Sequence, residues 1–277
     1  MSSTWNPDEE LPLPPITPAG WLRVLVRGVA MVLILVAGVT VALFLRLIEI
    51  PFCKQNRPLS PHITQWVARA WFLILGMRHE TSGARMKMPG AVVANHASWL
   101  DIFTLNARKR IYFVSKSDVA GWPVIGFLAR LVGTVFIARD PKQARAQTEL
   151  FEQRLLSGHK LLFFPEGTST DGMRVLRFKS TLFQALFSPQ LRDTLYVQPV
   201  TVIYHAPQGQ DPRFYGWWGH MAFGPHLLHV LAAAKHGSVR VIYHDPVPVR
   251  DFDGRKALAA HAEAAVRGGM PPERRDL

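Results

Sequence analysis

The distribution of apolar and polar residues divides the chain into an N-terminal hydrophobic region and a longer region of alternating elements. Residues 28–45 form an uncharged apolar run with arginines on both sides. At about 1.5 Å per residue, a helix over this run spans roughly 27 Å, which is enough to cross the core of a bilayer. The run has no polar face, so a spanning helix is favoured over an in-plane or re-entrant anchor, and a buried soluble helix fits least.

A second apolar stretch, residues 63–77, is shorter and contains Arg69 and two tryptophans. Because it carries a charge, we interpret it as an interfacial helix among the lipid headgroups. An ordinary amphipathic helix packed on the following domain is the alternative. The two stretches together predict an N-terminal hydrophobic helix pair for membrane attachment over residues 21–80. The Pro-rich, acidic residues 1–20 before it are expected to be a flexible leader.

From about residue 85 the pattern changes to short β-branched runs that alternate with helical stretches. Strands are predicted at 91–94, 111–115, 134–137, 161–164, 196–204 and 239–243, and helices at 141–156, 224–236 and 255–267. This alternation predicts an α/β domain with a mixed, largely parallel sheet flanked by helices, over residues 81–267. Residues 268–277 are expected to be a loose tail. In such sheets, ligands bind beyond the carboxyl ends of the strands.

The composition limits which binding partners and which kinds of metal or disulfide site are expected. The formal net charge of +12 favours anionic partners: phosphate-bearing substrates, anionic lipid surfaces or nucleic acid. The basic residues are dispersed among apolar strands and no nucleic-acid-binding motif is present, so nucleic acid is not expected. The single cysteine, Cys53, excludes a disulfide framework and a zinc-thiolate cluster. His220, His226 and His229 come without a carboxylate cluster, so no metal site is expected there.

The peptide after the first predicted strand combines an imidazole, His96, with a carboxylate, Asp101. A histidine oriented by a carboxylate is the minimal apparatus for removing a proton from an alcohol. Residues five apart lie on different faces of a helix, so the two meet only if His96 precedes a helix that starts near Ser98. The alternative is a capping box, in which Asp101 accepts a backbone N–H and His96 is an ordinary loop residue.

Three further segments place polar residues at the ends of predicted strands. Segment 133–139 ends in Arg139, and a guanidinium holds phosphate well, although a surface arginine beside a helix cap has the same pattern. Segment 164–172 combines a carboxylate, hydroxyls and two glycines, which suits a ligand-binding loop or a polar turn. In segment 197–200, Pro199 interrupts a strand and indicates an edge strand or a bulge that lines a site.

In their order and spacing, the four segments resemble the motifs of the glycerolipid acyltransferase family, of the 1-acylglycerol-3-phosphate acyltransferase type. The family motifs H-x-x-x-x-D, G-x-x-F-I-x-R, F-P-E-G-T and hydrophobic-x-P-V match residues 96–101, 133–139, 164–168 and 197–200. The resemblance covers roughly residues 80–205. It implies transfer of an acyl chain from acyl-CoA or acyl-carrier protein to the hydroxyl of a lysolipid, with no metal or bound cofactor.

The resemblance also assigns roles to individual residues. His96 would be the general base on the acceptor hydroxyl, and Asp101 would fix the imidazole tautomer. The acceptor headgroup would be held by Arg139, Glu166, Gly167 and Thr168. A thioester is already activated, so no covalent enzyme intermediate is needed. We expect backbone N–H groups near His96 or in the Gly167 loop to stabilise the oxyanion.

One departure from the motifs concerns the acceptor. Ser169 stands where many lysophosphatidate acyltransferases have an arginine that is thought to help hold the acceptor phosphate. Three nearby cations could replace that charge: Arg174, Arg177 and Lys179. Segments 164–172 and 217–220 look more like bacterial members that acylate lyso-ornithine lipid. Both acceptors stay open, with conversion of 1-acyl-sn-glycerol-3-phosphate to phosphatidic acid as the main expectation.

A remote alternative is a non-catalytic, membrane-anchored protein that binds lipid or nucleic acid, which the positive charge alone permits. For the enzyme, we expect a bacterial inner-membrane location with the catalytic domain on the cytoplasmic side. Both the acyl chain and the lysolipid partition into the bilayer, so an anchored enzyme avoids drawing them into water.

Overall fold

The computed structural model describes residues 4–7, 11–53, 57–108, 110–137 and 144–275, apart from the side chains of residues 144–148. The helices are α1 (Pro18–Cys53), α2 (Ser60–Leu75), α3 (Asp101–Asn106), α4 (Ile125–Val132), α5 (Ala144–Leu156), α6 (Phe223–Ala232) and α7 (Arg255–Gly268). The strands are β1 (Arg78–Ser82), β2 (Gly90–Ala94), β3 (Tyr112–Lys116), β4 (Val135–Ile137), β5 (Leu161–Phe163), β6 (Tyr196–His205), β7 (Ser238–Tyr243) and β8 (Val247–Pro248). Short 3₁₀-helical segments occur between several of them.

The strands form one mixed sheet in the order β1-β7-β6-β2-β5-β3-β4, with β8 beside β6. Neighbouring strands are parallel, except that β6 is antiparallel to both β7 and β8. The expected α/β fold with a mixed, largely parallel sheet flanked by helices is therefore confirmed. The carboxyl ends of β2 and β5 lie side by side, because Val93 pairs with Phe163. This register places the segments after the two strands next to each other.

Helices cover both faces of the sheet, which explains why the inner strands read as nearly continuous apolar runs. Along β2, Val92 and Ala94 face a core shared with α1, α2, α3 and α6, whereas Ala91 and Val93 face the core beneath α5 and α7. All four side chains are buried. Burial on both faces removes the alternation of a half-exposed strand, and it made these strands easy to predict.

Strand β1 was missed because its sequence, Arg-His-Glu-Thr-Ser, carries no apolar pattern. Among the described strands it pairs only with β7, at the edge of the sheet, and its side chains are largely exposed. Its first residues lie in the range that we assigned to the hydrophobic helices. An edge strand is held by its backbone hydrogen bonds and leaves little signal in the side chains.

The edge position inferred from Pro199 is wrong, because β6 lies inside the sheet between β2 and β7. Proline is tolerated there for a local reason. On one side, β6 pairs with β8 up to Val197 and with β7 from Val200 onward. Pro199 therefore lies between the stretch of β6 that pairs with β8 and the stretch that pairs with β7. At this position, none of the described strand pairings requires the backbone N–H that proline lacks.

Helix α1 is longer than the apolar run that predicted it. Its 36 residues span roughly 54 Å, and Pro51 lies within its last turn. Most of its large apolar side chains are exposed. By length and composition, α1 alone among the described helices is suited to crossing a bilayer.

The expected hydrophobic helix pair is therefore corrected to one long apolar helix. Helix α2 has only 16 residues and packs one face into the core through Trp71, Phe72 and Leu75. Arg69, the charge within it, donates from Nε to Ala107 O at 2.8 Å. The core contacts of the buried face agree with the alternative of an amphipathic helix packed on the domain, whereas Trp66 and Leu73 remain exposed.

Two arginines that flank the apolar run fasten α1 to the domain. Arg23 Nε donates to Ala232 O at 2.7 Å, and Arg27 Nη1 donates to Leu231 O at 2.7 Å and to Ala233 O at 2.6 Å. These carbonyls end helix α6 and have no partner within the helix. Cations also interact favourably with this end of a helix dipole.

Described segments near both ends of the chain also contact the domain. Residues 4–7 and 11–17 contain no helix or strand, and Leu11 is buried. Near the other terminus, Arg274 is buried and donates from Nη1 to Tyr204 O at 3.1 Å.

The side chain of Asn95 ties the end of β2 to β6. Its Nδ2 donates to Val202 O at 2.9 Å, and its Oδ1 accepts from Val202 N–H at 2.8 Å. Asn95 is fully buried. This pair of hydrogen bonds continues the sheet by one step and fixes where the chain leaves it, immediately before His96.

We predict that Asn95→Ala lowers the free energy of unfolding by about 2–5 kcal/mol, because two buried backbone groups lose their partner. Urea unfolding of the detergent-solubilised protein measures the change. Gln208→Ala, which truncates an exposed amide side chain, is the matched control. Equal midpoints for the two variants would contradict the assignment.

Candidate active site

The loop between β2 and α3 brings the predicted imidazole and carboxylate together. His96 Nδ1 lies 2.7 Å from Asp101 Oδ2. The Asp101 side chain is fully buried, whereas the His96 side chain is 21% exposed. An ionised carboxylate only accepts hydrogen bonds, so Nδ1 carries the proton and Nε2 keeps its lone pair. The geometry of an oriented histidine is thus present at the carboxyl end of β2.

Asp101 also accepts backbone N–H groups, as the capping-box alternative predicted. Its Oδ2 accepts the backbone N–H groups of Ala97 at 2.8 Å and of Ser98 at 3.0 Å. Helix α3 begins at Asp101, three residues later than expected, because these N–H groups turn toward the carboxylate. The capping and the catalytic interpretations describe one arrangement.

Tyr204, on the neighbouring strand β6, completes the surroundings of this carboxylate. Its hydroxyl donates to Asp101 Oδ1 at 2.7 Å and lies 2.9 Å from Thr104 Oγ1. Burial raises the pKa of Tyr204, so the phenol keeps its proton and acts as a donor. The sequence analysis did not find this residue. It lies 103 positions from Asp101, and nothing in its local pattern marks it.

Phe164 sets the plane of the imidazole. Its ring stacks on that of His96 with the centroids 4.0 Å apart and the planes 10° from parallel. Phe164 directly follows β5, the strand beside β2, so the sheet itself brings the two rings together. One face of the imidazole is thereby shielded from water.

The predicted residue Glu166 lies behind this loop and is almost completely buried. Its Oε1 accepts the backbone N–H of His96 at 2.7 Å, and its Oε2 accepts that of Leu176 at 2.8 Å. Burial raises the pKa of Glu166 to about 8, and the two backbone donors oppose this rise. Both oxygens are occupied within the protein, so Glu166 supports the loop that carries His96.

Gly167 and Thr168 lie in the adjoining loop of residues 164–172, which we call the headgroup loop. Gly167 has φ +71°, and the end of the Lys179 side chain lies 2.7 Å from where a Cβ would be. A side chain at this position would meet both backbone strain and the lysine. Thr168 is nearly buried, with its hydroxyl 3.4 Å from Trp5 N.

Arg139, the remaining predicted site residue, lies outside the described residues. Strand β4, which precedes it, is described up to Ile137 and pairs with β3 at the far edge of the sheet.

The expected oxyanion donors near His96 are already engaged. The N–H groups of His96, Ala97 and Ser98 donate to carboxylates, and that of Gly167 donates to Phe164 O. The N–H of Thr170 donates to His96 O at 2.9 Å. These groups therefore hold the loops in place, and the oxyanion needs other donors.

One of the three histidines considered for a metal site, His226, has a structural role. His226 is fully buried and accepts a hydrogen bond from Trp99 Nε1 at 2.9 Å. Burial lowers the pKa of His226 to about 4. Within the described ranges, no group of three or more His, Cys, Asp or Glu side chains is placed to hold a metal ion.

Comparison with known proteins identifies the family. Residues 78–203 match the family described as Acyltransferase. The chain is 56% identical over 266 residues to the lyso-ornithine lipid O-acyltransferase of Rhodobacter capsulatus, covering 96% of each chain. The chain belongs to the acyltransferase family. The resemblance stated from the motifs is thereby confirmed, as is the assignment of the protein as an acyltransferase enzyme.

This acyltransferase is less similar to two further relatives. It is 34% identical to the lyso-ornithine lipid O-acyltransferase of Rhizobium meliloti, over 80% of this chain and 76% of the relative. It is 38% identical over 99 residues to a 1-acyl-sn-glycerol-3-phosphate acyltransferase of Neisseria gonorrhoeae, 34% of this chain and 37% of the relative. The crystal structure of the LPA acyltransferase PlsC from Thermotoga maritima superposes with a TM-score of 0.63, over 90% of this chain and 95% of that chain. At 19% identity, that structure supports the fold alone.

We predict that Glu166 makes the stability of the acyltransferase depend on pH. Its folded-state pKa, about 8, lies above the ordinary value of 4.5, so the folded state holds the proton more tightly. Stability should therefore fall as the pH rises from 4.5 to 8 and level off above 8. Glu166→Gln cannot ionise and should lose this decline.

Thermal unfolding between pH 6.5 and 8.5 measures the difference between the two proteins. Buried histidines whose pKa is lowered to about 4, such as His226 and His236, are neutral throughout this window. Glu80→Gln, at an exposed position of β1, is the matched control. Parallel pH profiles for the wild type and Glu166→Gln would refute the prediction.

Proposed function

We propose that this acyltransferase moves a fatty acyl chain from acyl-CoA or acyl-carrier protein to the hydroxyl of lyso-ornithine lipid. The observation that carries the proposal is the 56% identity to the Rhodobacter capsulatus enzyme over 96% of both chains. The second relative with this name, from Rhizobium meliloti, supports it. The serine at position 169, where many lysophosphatidate acyltransferases have arginine, agrees with an acceptor that lacks a phosphate.

Lysophosphatidate is the second candidate acceptor. It is favoured by the 38% identity over 99 residues to the Neisseria gonorrhoeae enzyme. That similarity covers only 34% of this chain, so it supports the shared chemistry more than the choice of acceptor. The order of the two acceptors is thus reversed from the one expected on the motifs.

In the proposed mechanism, His96 Nε2 takes the proton of the acceptor hydroxyl while the hydroxyl oxygen attacks the thioester carbonyl. The tetrahedral intermediate collapses with cleavage of the C–S bond, and the imidazolium returns the proton to the leaving sulfur. The products are the ester and a free thiol. Asp101, hydrogen-bonded to Nδ1, stabilises the transient imidazolium.

The other residues at the site act as positioning residues in this proposal. Tyr204 and the N–H groups of Ala97 and Ser98 hold the carboxylate of Asp101 in place. Glu166 holds the backbone at His96, a role we favour over the headgroup contact first expected. Gly167, Thr168 and Arg139 stay proposed for the acceptor headgroup.

We also propose the division of the chain and its location. Residues 1–20 form the leader, 21–80 the membrane-anchoring region, 81–267 the acyltransferase domain and 268–277 the tail. Helix α1 has the length and composition to anchor the enzyme in the bacterial inner membrane, with the domain on the cytoplasmic side. Cytoplasmic acyl donors and membrane lysolipids then meet at one surface.

We predict that His96→Ala lowers kcat by roughly 10²–10⁴-fold, the usual contribution of a general base. Release of free thiol at saturating substrates measures the rate. The matched control is His261→Ala, which removes an exposed histidine of α7 and should retain full activity. A His96→Ala enzyme with more than a tenth of the wild-type kcat would refute the assignment.

We predict a higher kcat/KM for lyso-ornithine lipid than for lysophosphatidate when the purified enzyme is assayed with one donor. Mass spectrometry of the lipid products identifies which acceptor has been acylated. Loss of both products in His96→Ala assigns them to this site. Acylation of lysophosphatidate alone would overturn the proposed acceptor and leave the reaction class intact.

A further inference from the structure

The first described residues of the chain lie across the headgroup loop. Trp5 donates its backbone N–H to Thr168 Oγ1 at 3.4 Å. The Trp5 indole packs against Trp218, with ring centroids 6.2 Å apart and planes tilted by 56°. The guanidinium carbon of Arg174 lies 5.1 Å from the centroid of the Trp5 ring. We call residues 4–7 the leader strap.

A glycine makes room for this strap. Gly219 has φ +60°, and a Cβ on it would lie 2.1 Å from Asn6 Oδ1. Any side chain at 219 would strain the backbone and displace Asn6. The strap therefore occupies a position that the domain is shaped to receive.

The segments that contact Trp5 are bonded to the loop that carries His96. Within the headgroup loop, both the N–H and the hydroxyl of Thr170 donate to His96 O, at 2.9 and 3.2 Å. Trp217, next to Trp218, donates its N–H to Ala97 O at 2.8 Å. Trp5 thus lies over two segments that flank the proposed base.

Arg174 is held by an ion pair and lies over an aromatic ring. Its Nε and Nη2 donate to the two oxygens of Asp171 at 3.4 and 3.2 Å, and its guanidinium carbon lies over the Trp5 ring. Asp171 is buried, whereas the Arg174 side chain is 34% exposed. Within the described part of the chain, Arg174 Nη1 takes part in no hydrogen bond. A guanidinium that is fixed in this way, with the edge at Nη1 still available, is suited to bind a carboxylate.

The local charge also favours one class of headgroup. Asp171 offsets much of the positive charge of Arg174. A phosphate group with two negative charges would meet a nearly neutral pair, whereas an amino-acid headgroup offers one carboxylate together with a cation. The amide-linked ornithine headgroup has this composition, because its carboxyl and its side-chain amine remain free.

We propose that Arg174 binds the carboxylate of the ornithine headgroup and that Trp5 is the positioning residue that holds Arg174 for this contact. The inference rests on the proposed function, because it takes lyso-ornithine lipid as the acceptor. It assigns a role in substrate selection to a segment that precedes the membrane helix.

The test is steady-state acylation of lyso-ornithine lipid by the full-length enzyme at saturating donor. Trp5→Ala and Arg174→Ala should each raise the acceptor KM roughly tenfold, with kcat within about twofold and the donor KM unchanged. Trp5→Phe retains a ring and should restore most of the affinity. Thr4→Ala, at an exposed neighbouring position, is the matched control.

Two further variants separate positioning from a general structural role. The double variant Trp5→Ala/Arg174→Ala should have the KM of Arg174→Ala alone, because the tryptophan acts through the arginine. Arg174→Lys keeps the positive charge but lacks the paired N–H donors of a guanidinium. It should therefore raise the acceptor KM while the unfolding temperature stays unchanged.

The outcomes distinguish this inference from the proposed function. The inference is wrong if Trp5→Ala has the same acceptor KM as Thr4→Ala, or if it lowers kcat alone. It is also wrong if the double variant has a higher KM than Arg174→Ala, with the two effects multiplied. In each of these cases lyso-ornithine lipid remains the acceptor. If the wild-type enzyme acylates only lysophosphatidate, the proposed function fails and the carboxylate assignment fails with it.

Discussion

The structure of the site depends on one buried carboxylate. Asp101 accepts four hydrogen bonds: from the imidazole of His96, from the hydroxyl of Tyr204 and from two backbone N–H groups. A charge with no exposure to water is tolerated only when it is well paired. The same four bonds start helix α3, orient the imidazole and join the loop to β6. Folding of the loop and orientation of the imidazole are therefore one event.

A second carboxylate supports the same loop from behind. Glu166 binds the backbone at His96 with one oxygen and the chain at Leu176 with the other. The F-P-E-G-T motif thus contributes mainly to the architecture of the site, because its glutamate fixes the loop and its phenylalanine stacks on the imidazole. A motif residue without access to the substrate would still matter for the proposed role of His96, since a small displacement of a base costs much of its effect.

The inner strands and the His96–Asp101 pair could be predicted because their signals are local. Strands buried on both faces read as apolar runs, and the spacing of two reactive side chains is visible in one peptide. The contributions of Tyr204, Asn95 and Trp5 could not be predicted, because each depends on a contact with a residue more than a hundred positions away. Strand β1 was missed for another reason: an exposed edge has no apolar period to detect.

The bonds from Arg23 and Arg27 to the end of α6 have a practical consequence for work with this enzyme. Cutting the chain after the apolar segment would remove the groups that satisfy those carbonyls, together with Met31, whose side chain is buried in the core. Helix α1 is thus a component of the folded domain as well as the proposed membrane anchor. Soluble forms are better sought by changing its outward-facing side chains than by deleting the helix.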